Sequence, residues 1–197
     1  MFVRSLSLGV AAAALMVGGA QAADLIIPTT PQPIYEPAGF DWEGLYAGVR
    51  LGGQFTGTNV PGYANQFNDT TYGVIGAAVG VNFIPVDPFL LGVEVTGDFL
   101  WGNNVTNSAE FFANLRAGAV VTDAALVYAL AGVGVSTTDN NVNNNSTGVF
   151  QLGGGVEFAV TDAVTVRGEL VGQGNLDNNG GDFFKAAKAT VGVFYHF

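Results

Sequence analysis

The 197-residue chain has no cysteine, a single histidine and few charges, with only 11% of its residues Asp, Glu, Lys or Arg. Without cysteine, a disulfide scaffold and any thiolate metal site are excluded. One histidine, His196, leaves little for acid–base or nucleophilic catalysis. Six basic against sixteen acidic residues, a net charge of −10, argue against nucleic acid as a partner. Soluble domains carry roughly a quarter charged residues. A chain this poor in charge, with mean hydropathy +0.36, is no ordinary soluble globule. Yet its longest hydrophobic stretches do not read as spanning helices. A membrane-like composition without a membrane helix points to a chain that crosses in strands.

What is present begins with an address label. Arg4 precedes an apolar run over 6–17, and small residues follow up to Ala20-Gln21-Ala22. Small-x-small is the pattern a signal peptidase accepts, so residues 1–22 read as a signal peptide with the cut before Ala23. Residues 23–41 carry Pro28, Pro31, Pro33 and Pro37 and read as an extended periplasmic spacer ahead of the folded domain at 42–197.

From Trp42 onward the period is two. Leu45, Ala47, Val49 and Leu51 share one face, and Tyr46, Gly48, Arg50 and Gly52 the other. The alternation recurs over 72–83, 89–101, 110–121, 127–135, 150–160, 164–173 and 187–197. The strand at 127–135 is the least clear, being apolar on both faces. In all eight the apolar face is free of charge except at strand ends, while the opposite face holds glycine, small residues and a few charges. A lipocalin-like barrel or a sandwich would invert that sidedness. Strands of about 9–11 residues are what a tilted membrane-crossing strand needs, and closure satisfies every backbone group where there is no water. The expected fold is all-β, an eight-stranded antiparallel up-and-down transmembrane β-barrel.

Connections alternate long and short. The long ones are 55–71, 102–109, 136–148 and 174–182; the short ones centre on Pro85-Val86-Asp87-Pro88, Thr122-Asp123-Ala124 and Thr161-Asp162-Ala163. Bacterial outer-membrane barrels keep short turns in the periplasm and long loops outside, which places both termini in the periplasm. Trp42, Trp101, Phe111, Tyr195 and Phe197 fall near strand ends, where interfacial girdles belong. Asp69, Asp139, Asp177 and Asp182 put carboxylates in the loops, positioned to share divalent cations with lipopolysaccharide phosphates.

The inward face collects Arg50, Arg116, Arg167 and Lys188 against Glu94, Asp98, Glu157 and Glu169. Charge away from water must be paired. A turn centred on Asp162 sets Glu157 opposite Arg167; Glu94 and Arg116 are symmetric about Val105; Lys188 falls within a residue of facing Glu169. An eight-stranded bore is only wide enough for its own side chains, so these eight read as an ion-pair plug rather than a selectivity path. No catalytic, cofactor or metal site is expected. His196 sits at the polar rim of the closing strand without an evident carboxylate partner, and the Asp-Asn loops at 139–145 and 177–182 lack the spacing and closing glutamate of a calcium loop.

Specific motifs add a family resemblance. Ala20-Gln21-Ala22 followed by Ala23-Asp24-Leu25, Trp42-x-Gly44-x-Tyr46-x-Gly48, and a last strand with Thr190-x-Gly192-x-x-Tyr195-x-Phe197 carry it. The chain resembles the eight-stranded outer-membrane barrels of the opacity-protein and outer-membrane-protein-A membrane-domain class. In particular it is similar to small alphaproteobacterial outer-membrane proteins often labelled porin family. The resemblance implies that Thr190, Gly192, Tyr195 and Phe197 form the signal read by the barrel-assembly machinery. It also implies contact with outer-membrane lipid and lipopolysaccharide. The function expected is a non-enzymatic structural and surface role, with a possible host or environmental ligand on four external loops; the alternative is a narrow, low-conductance porin.

Overall fold

The computed structural model describes residues 39–56, 70–102, 108–140, 143–177 and 183–197. The expected signal peptide, most of the proline-rich segment, Asp69 and Asp182 lie outside the described residues. Eight strands are present: β1 (Gly44–Thr56), β2 (Thr70–Val86), β3 (Phe89–Trp101), β4 (Ser108–Thr122), β5 (Ala125–Asn140), β6 (Asn143–Ala159), β7 (Val164–Asn175) and β8 (Ala186–His196). Each pairs antiparallel with its sequence neighbours, and β8 closes on β1 to complete an up-and-down barrel. The Phe197 amide donates to the Leu45 carbonyl at 3.0 Å, finishing the seam.

Sidedness follows the alternation. Val49, Leu51, Leu115 and Leu170 point outward and are about two-thirds exposed, at 62–67%. Inward residues of the same strands, Arg50, Arg116 and Arg167, are 4% exposed or less. The apparently two-faced β5 is explained by its inward Leu126, Tyr128 and Leu130, which form a buried apolar cluster with Leu90 and Val171.

Several boundaries move. The long connection expected over 136–148 is mostly ladder, because β5 and β6 stay paired as far as Asn140 opposite Asn143. Ser, Thr and Asn signal turns by propensity, but nothing in their backbone prevents pairing; Thr137 even donates its hydroxyl to the Ala109 carbonyl at 3.1 Å. Pro85 and Val86 belong to β2, past an irregularity in its pairing with β3 between Phe83 and Val86. Trp101, Phe111, Tyr195 and Phe197 face outward as girdle residues should, but Trp42 does not. It precedes β1 and is only 2% exposed, packed into the apolar cluster, because an indole placed before the first strand can turn under the barrel rather than along its wall.

Inward glycines stand beside large neighbours. Tyr46 is opposite Gly80, and a Cβ on Gly80 would lie 2.3 Å from the Tyr46 hydroxyl. Tyr128 is opposite Gly155 in the same way, with its hydroxyl 2.5 Å from the would-be Cβ. At these two pairs the phenol takes the volume of both positions, and glycine is what the facing position can hold. Gly48→Val is expected to lower barrel stability by about 1–3 kcal/mol, since its Cβ would meet the Val193 carbonyl at 2.4 Å and the Phe194 ring at 2.3 Å. Gly168→Ala, whose nearest neighbour would be Val156 at 4.0 Å, should leave stability unchanged. The midpoint of the heat-dependent gel shift of the two variants measures the difference.

Candidate functional site: the charged lumen

Beside the apolar cluster the interior is a continuous network built on inward residues of every strand but β2. Arg50 on β1 donates from Nε to Asp98 Oδ1 at 2.9 Å and from Nη2 to Asp98 Oδ2 at 2.6 Å, a bidentate grip on β3. Its Nη1 reaches Glu169 Oε1 on β7 at 3.1 Å. Lys188 on β8 donates to Asp98 Oδ2 at 2.6 Å and to Glu110 Oε2 at 2.9 Å. Glu110 also accepts Gln173 Nε2 at 2.9 Å, and Gln151 donates to Asn114 Oδ1 at 2.7 Å.

Deeper, two arginines converge on two glutamates. Arg167 donates from Nε to Glu157 Oε2 at 2.9 Å and from Nη1 to Glu94 Oε2. Arg116 donates from Nη2 to the same Glu157 oxygen at 2.9 Å and from Nη1 to the Tyr46 hydroxyl at 2.7 Å. Tyr46 in turn donates to Glu94 Oε2 at 2.8 Å, so a phenol relays between guanidinium and carboxylate. Tyr128 donates to Glu169 Oε2 at 2.7 Å. Aromatic faces cover the cations: Arg116 lies 3.9 Å from the Tyr128 centroid and Arg167 3.8 Å from that of Phe194. Two guanidinium groups can therefore sit close together because carboxylates and ring faces surround them.

All eight charged residues picked out by alternation face this lumen and are buried. Their pairing differs in part from the expected ladder. Glu157 is opposite Arg167 and bonded to it. Glu94 is opposite Asn114, and Arg116 opposite Gly92, so the β3–β4 hairpin centre is not Val105. Arg116 and Glu94 still approach to 3.9 Å. Lys188 is opposite Val171 and Glu169 opposite Thr190; Lys188 crosses the lumen to Asp98 and Glu110 instead of meeting Glu169. That correction has a simple cause: a long lysine in a narrow bore reaches the far wall as readily as its ladder neighbour.

Glu110 was absent from the expected set, although it shares the parity of Asn114 and Arg116 on β4. With it the described lumen holds five carboxylates against Arg50, Arg116, Arg167 and Lys188, not four. His196 also departs from expectation. It is 7% exposed, not at a polar rim, and it has a carboxylate partner, Glu157 Oε1 at 3.3 Å. Thr165 donates to that same oxygen at 2.6 Å, and the imidazole stacks on Tyr46 with centroids 5.4 Å apart. His196 shares the parity of Lys188 and so faces inward; its partner was hidden because it lies on β6, two strands away around the barrel.

An apolar outer wall, a closed ladder and a polar interior define a membrane-crossing barrel of the bacterial outer membrane. A family model described as outer membrane protein beta-barrel domain matches residues 10–197, and the chain belongs to that family. No curated protein matches the sequence. Among solved structures it is similar to Neisserial surface protein A, NspA, at 12% identity and a TM-score of 0.55, covering 78% of this chain and 97% of that one. It is also similar to the N-terminal β-barrel domain of Pseudomonas aeruginosa OprF, at 16% identity and a TM-score of 0.52, covering 79% and 98%. At such identities the likeness is one of fold.

Unequal losses are expected when cations of this network are removed. Arg167→Met takes a bonded cation from both Glu94 and Glu157, leaving Glu94 only the Tyr46 hydroxyl and the pair only Arg116 to answer two buried charges, and should cost about 3–5 kcal/mol. Lys188→Met leaves Asp98 on Arg50 and Glu110 on Gln173, and should cost about 1–3 kcal/mol. Denaturant unfolding in lipid vesicles, followed by tyrosine and tryptophan fluorescence, compares the two.

Proposed function

We propose that this protein is a non-enzymatic outer-membrane barrel with a structural, envelope-integrity role, which meets its surroundings through its loops rather than through its bore. The observation that carries the reading is the occupied lumen. Arg116, Arg167, Glu94 and Glu157 have side chains 3% exposed or less and bridge the bore from β3, β4, β6 and β7. An eight-stranded barrel so filled has no continuous aqueous path. The one histidine is committed to packing against Tyr46 and to Glu157, which supports a non-catalytic reading.

Orientation follows from the connections. β2–β3, β4–β5 and β6–β7 are joined by two to four residues at the end where β1 begins and β8 finishes, which supports a periplasmic placement of that end. The other end then carries the four outer connections, the surface for a host or environmental ligand and for lipopolysaccharide. The outward Tyr195 and Phe197, ring centroids 5.1 Å apart, together with Thr190 and Gly192, suit engagement by the barrel-assembly machinery during biogenesis.

Planar-bilayer recording of the refolded full-length mature protein tests this reading. A silent membrane from protein that shows the heat-dependent gel shift is expected. Steady openings whose size changes in Glu94→Gln would replace the structural role with that of a narrow porin.

A further inference from the structure

We propose that residues 39–43 form a lid over the barrel mouth at which β1 begins and β8 finishes, hinged at Gly44 and seated on His196. This segment precedes β1 and takes no part in the ladder. Among the described residues two hydrogen bonds tie it to the walls. The Phe40 amide donates to the Asp123 carbonyl in the β4–β5 turn at 3.0 Å, and Asn82 Nδ2 on β2 donates to the Trp42 carbonyl at 3.1 Å. A strand of the wall is held on both edges along its length; this segment is held at two points.

What keeps it shut is apolar. Trp42 packs in one cluster with Leu90 of β3 and Leu126 of β5, and its ring lies 6.0 Å from that of His196 on β8, so it reaches across the mouth. Phe40 meets the Trp42 ring edge-on at 4.7 Å and the His196 ring at 4.9 Å. Against that burial stands a polar cost. Trp42 Nε1 and His196 Nδ1 are both buried without a hydrogen-bond partner. Leaving the mouth would give both atoms to water, so closure is a balance of opposed contributions and not a one-way commitment. The junction suits movement. Gly44 has φ +112°, a backbone conformation side-chain-bearing residues rarely adopt, and a Cβ there would have only the Phe197 carbonyl, 3.7 Å away, as a neighbour.

Directly under the lid is the end of the ionic network. His196 Nε2 is 3.3 Å from Glu157 Oε1, and Glu157 holds both Arg116 and Arg167. Opening the lid exposes this end to water and small solutes while the strands stay paired. Tension applied at Gly39 is the natural way to open it, because the segment is fastened there to Asp123 by the single Phe40 amide hydrogen bond.

The composition makes the test clean: His196 is the only histidine and there is no cysteine. Untagged mature protein is refolded into lipid vesicles, and carbethoxylation of His196 by diethylpyrocarbonate is timed by mass spectrometry. A Gly39→Cys/Asp123→Cys pair provides a lock, since a Cβ on Gly39 would lie 3.2 Å from that of Asp123, close to disulfide range. The expected result is slow modification in the wild type and the reduced pair. The oxidised pair should react about tenfold more slowly still, and Phe40→Ala/Trp42→Ala about tenfold faster, as reactivity limited by local opening requires. Equal rates for the oxidised and reduced pair would overturn the lid, as would wild-type modification as fast as that of N-acetylhistidine. The locked pair keeps the test decisive even where the double alanine variant fails the gel-shift criterion for folding.

Discussion

Charge placed where water cannot reach it has to be answered by opposite charge and by hydrogen bonds, and in this barrel that requirement governs the inner wall. An uncompensated ion in a low-dielectric interior costs several kcal/mol, more than most single contacts contribute. Among the described residues four cations and five carboxylates share the bore, and each cation is bonded to at least one carboxylate. Register between strands is consequently constrained twice. The outer face must present Val, Leu and Phe to lipid, and the inner face must bring Asp98 to Arg50 and Glu157 to Arg167. A slip of one residue in any strand would fail on both sides at once.

The remaining inner residues serve that arrangement. Tyr46 and Tyr128 each supply a ring face for a guanidinium and a hydroxyl for a carboxylate, which is why bulky phenols occupy a crowded bore. Glycines opposite them surrender the volume. Gln54, Gln151 and Gln173 continue the hydrogen bonding with neutral groups towards the end away from the start of β1. At the other end Trp42, Leu90 and Leu126 form an apolar floor. The lumen is thus graded along its length.

Much of this was legible in the sequence because a strand's period is two and its faces meet different solvents. Every residue assigned inward by parity, from Arg50 to Lys188, is inward. The Glu157–Arg167 pair was legible too, since a short turn around Asp162 leaves little freedom in register. Legibility failed where distance along the chain ceased to measure distance in space. A longer connection hid the true centre of the β3–β4 hairpin, and contacts across the bore, such as Lys188 to Glu110, obey no ladder rule. Trp42 was misplaced because parity applies only inside a strand, and it stands before one. The polar end of the β5–β6 hairpin misled through propensity, which registers local preference and not the pairing a neighbouring strand offers.

The central claim, that the bore is a dry ionic core, is tested most directly by hydrogen exchange at the arginine side chains. Beyond residue 22 the chain has three arginines, Arg50, Arg116 and Arg167, so the Nε–H region of a nitrogen-15 spectrum in lipid nanodiscs is almost empty of overlap. Arg50 and Arg167 donate these hydrogens to Asp98 and Glu157, and their exchange with water should be slower than that of a free guanidinium by on the order of a hundredfold or more. Exchange of both at the rate of an exposed arginine would mean that water fills the bore, and the account of a plugged barrel would be wrong.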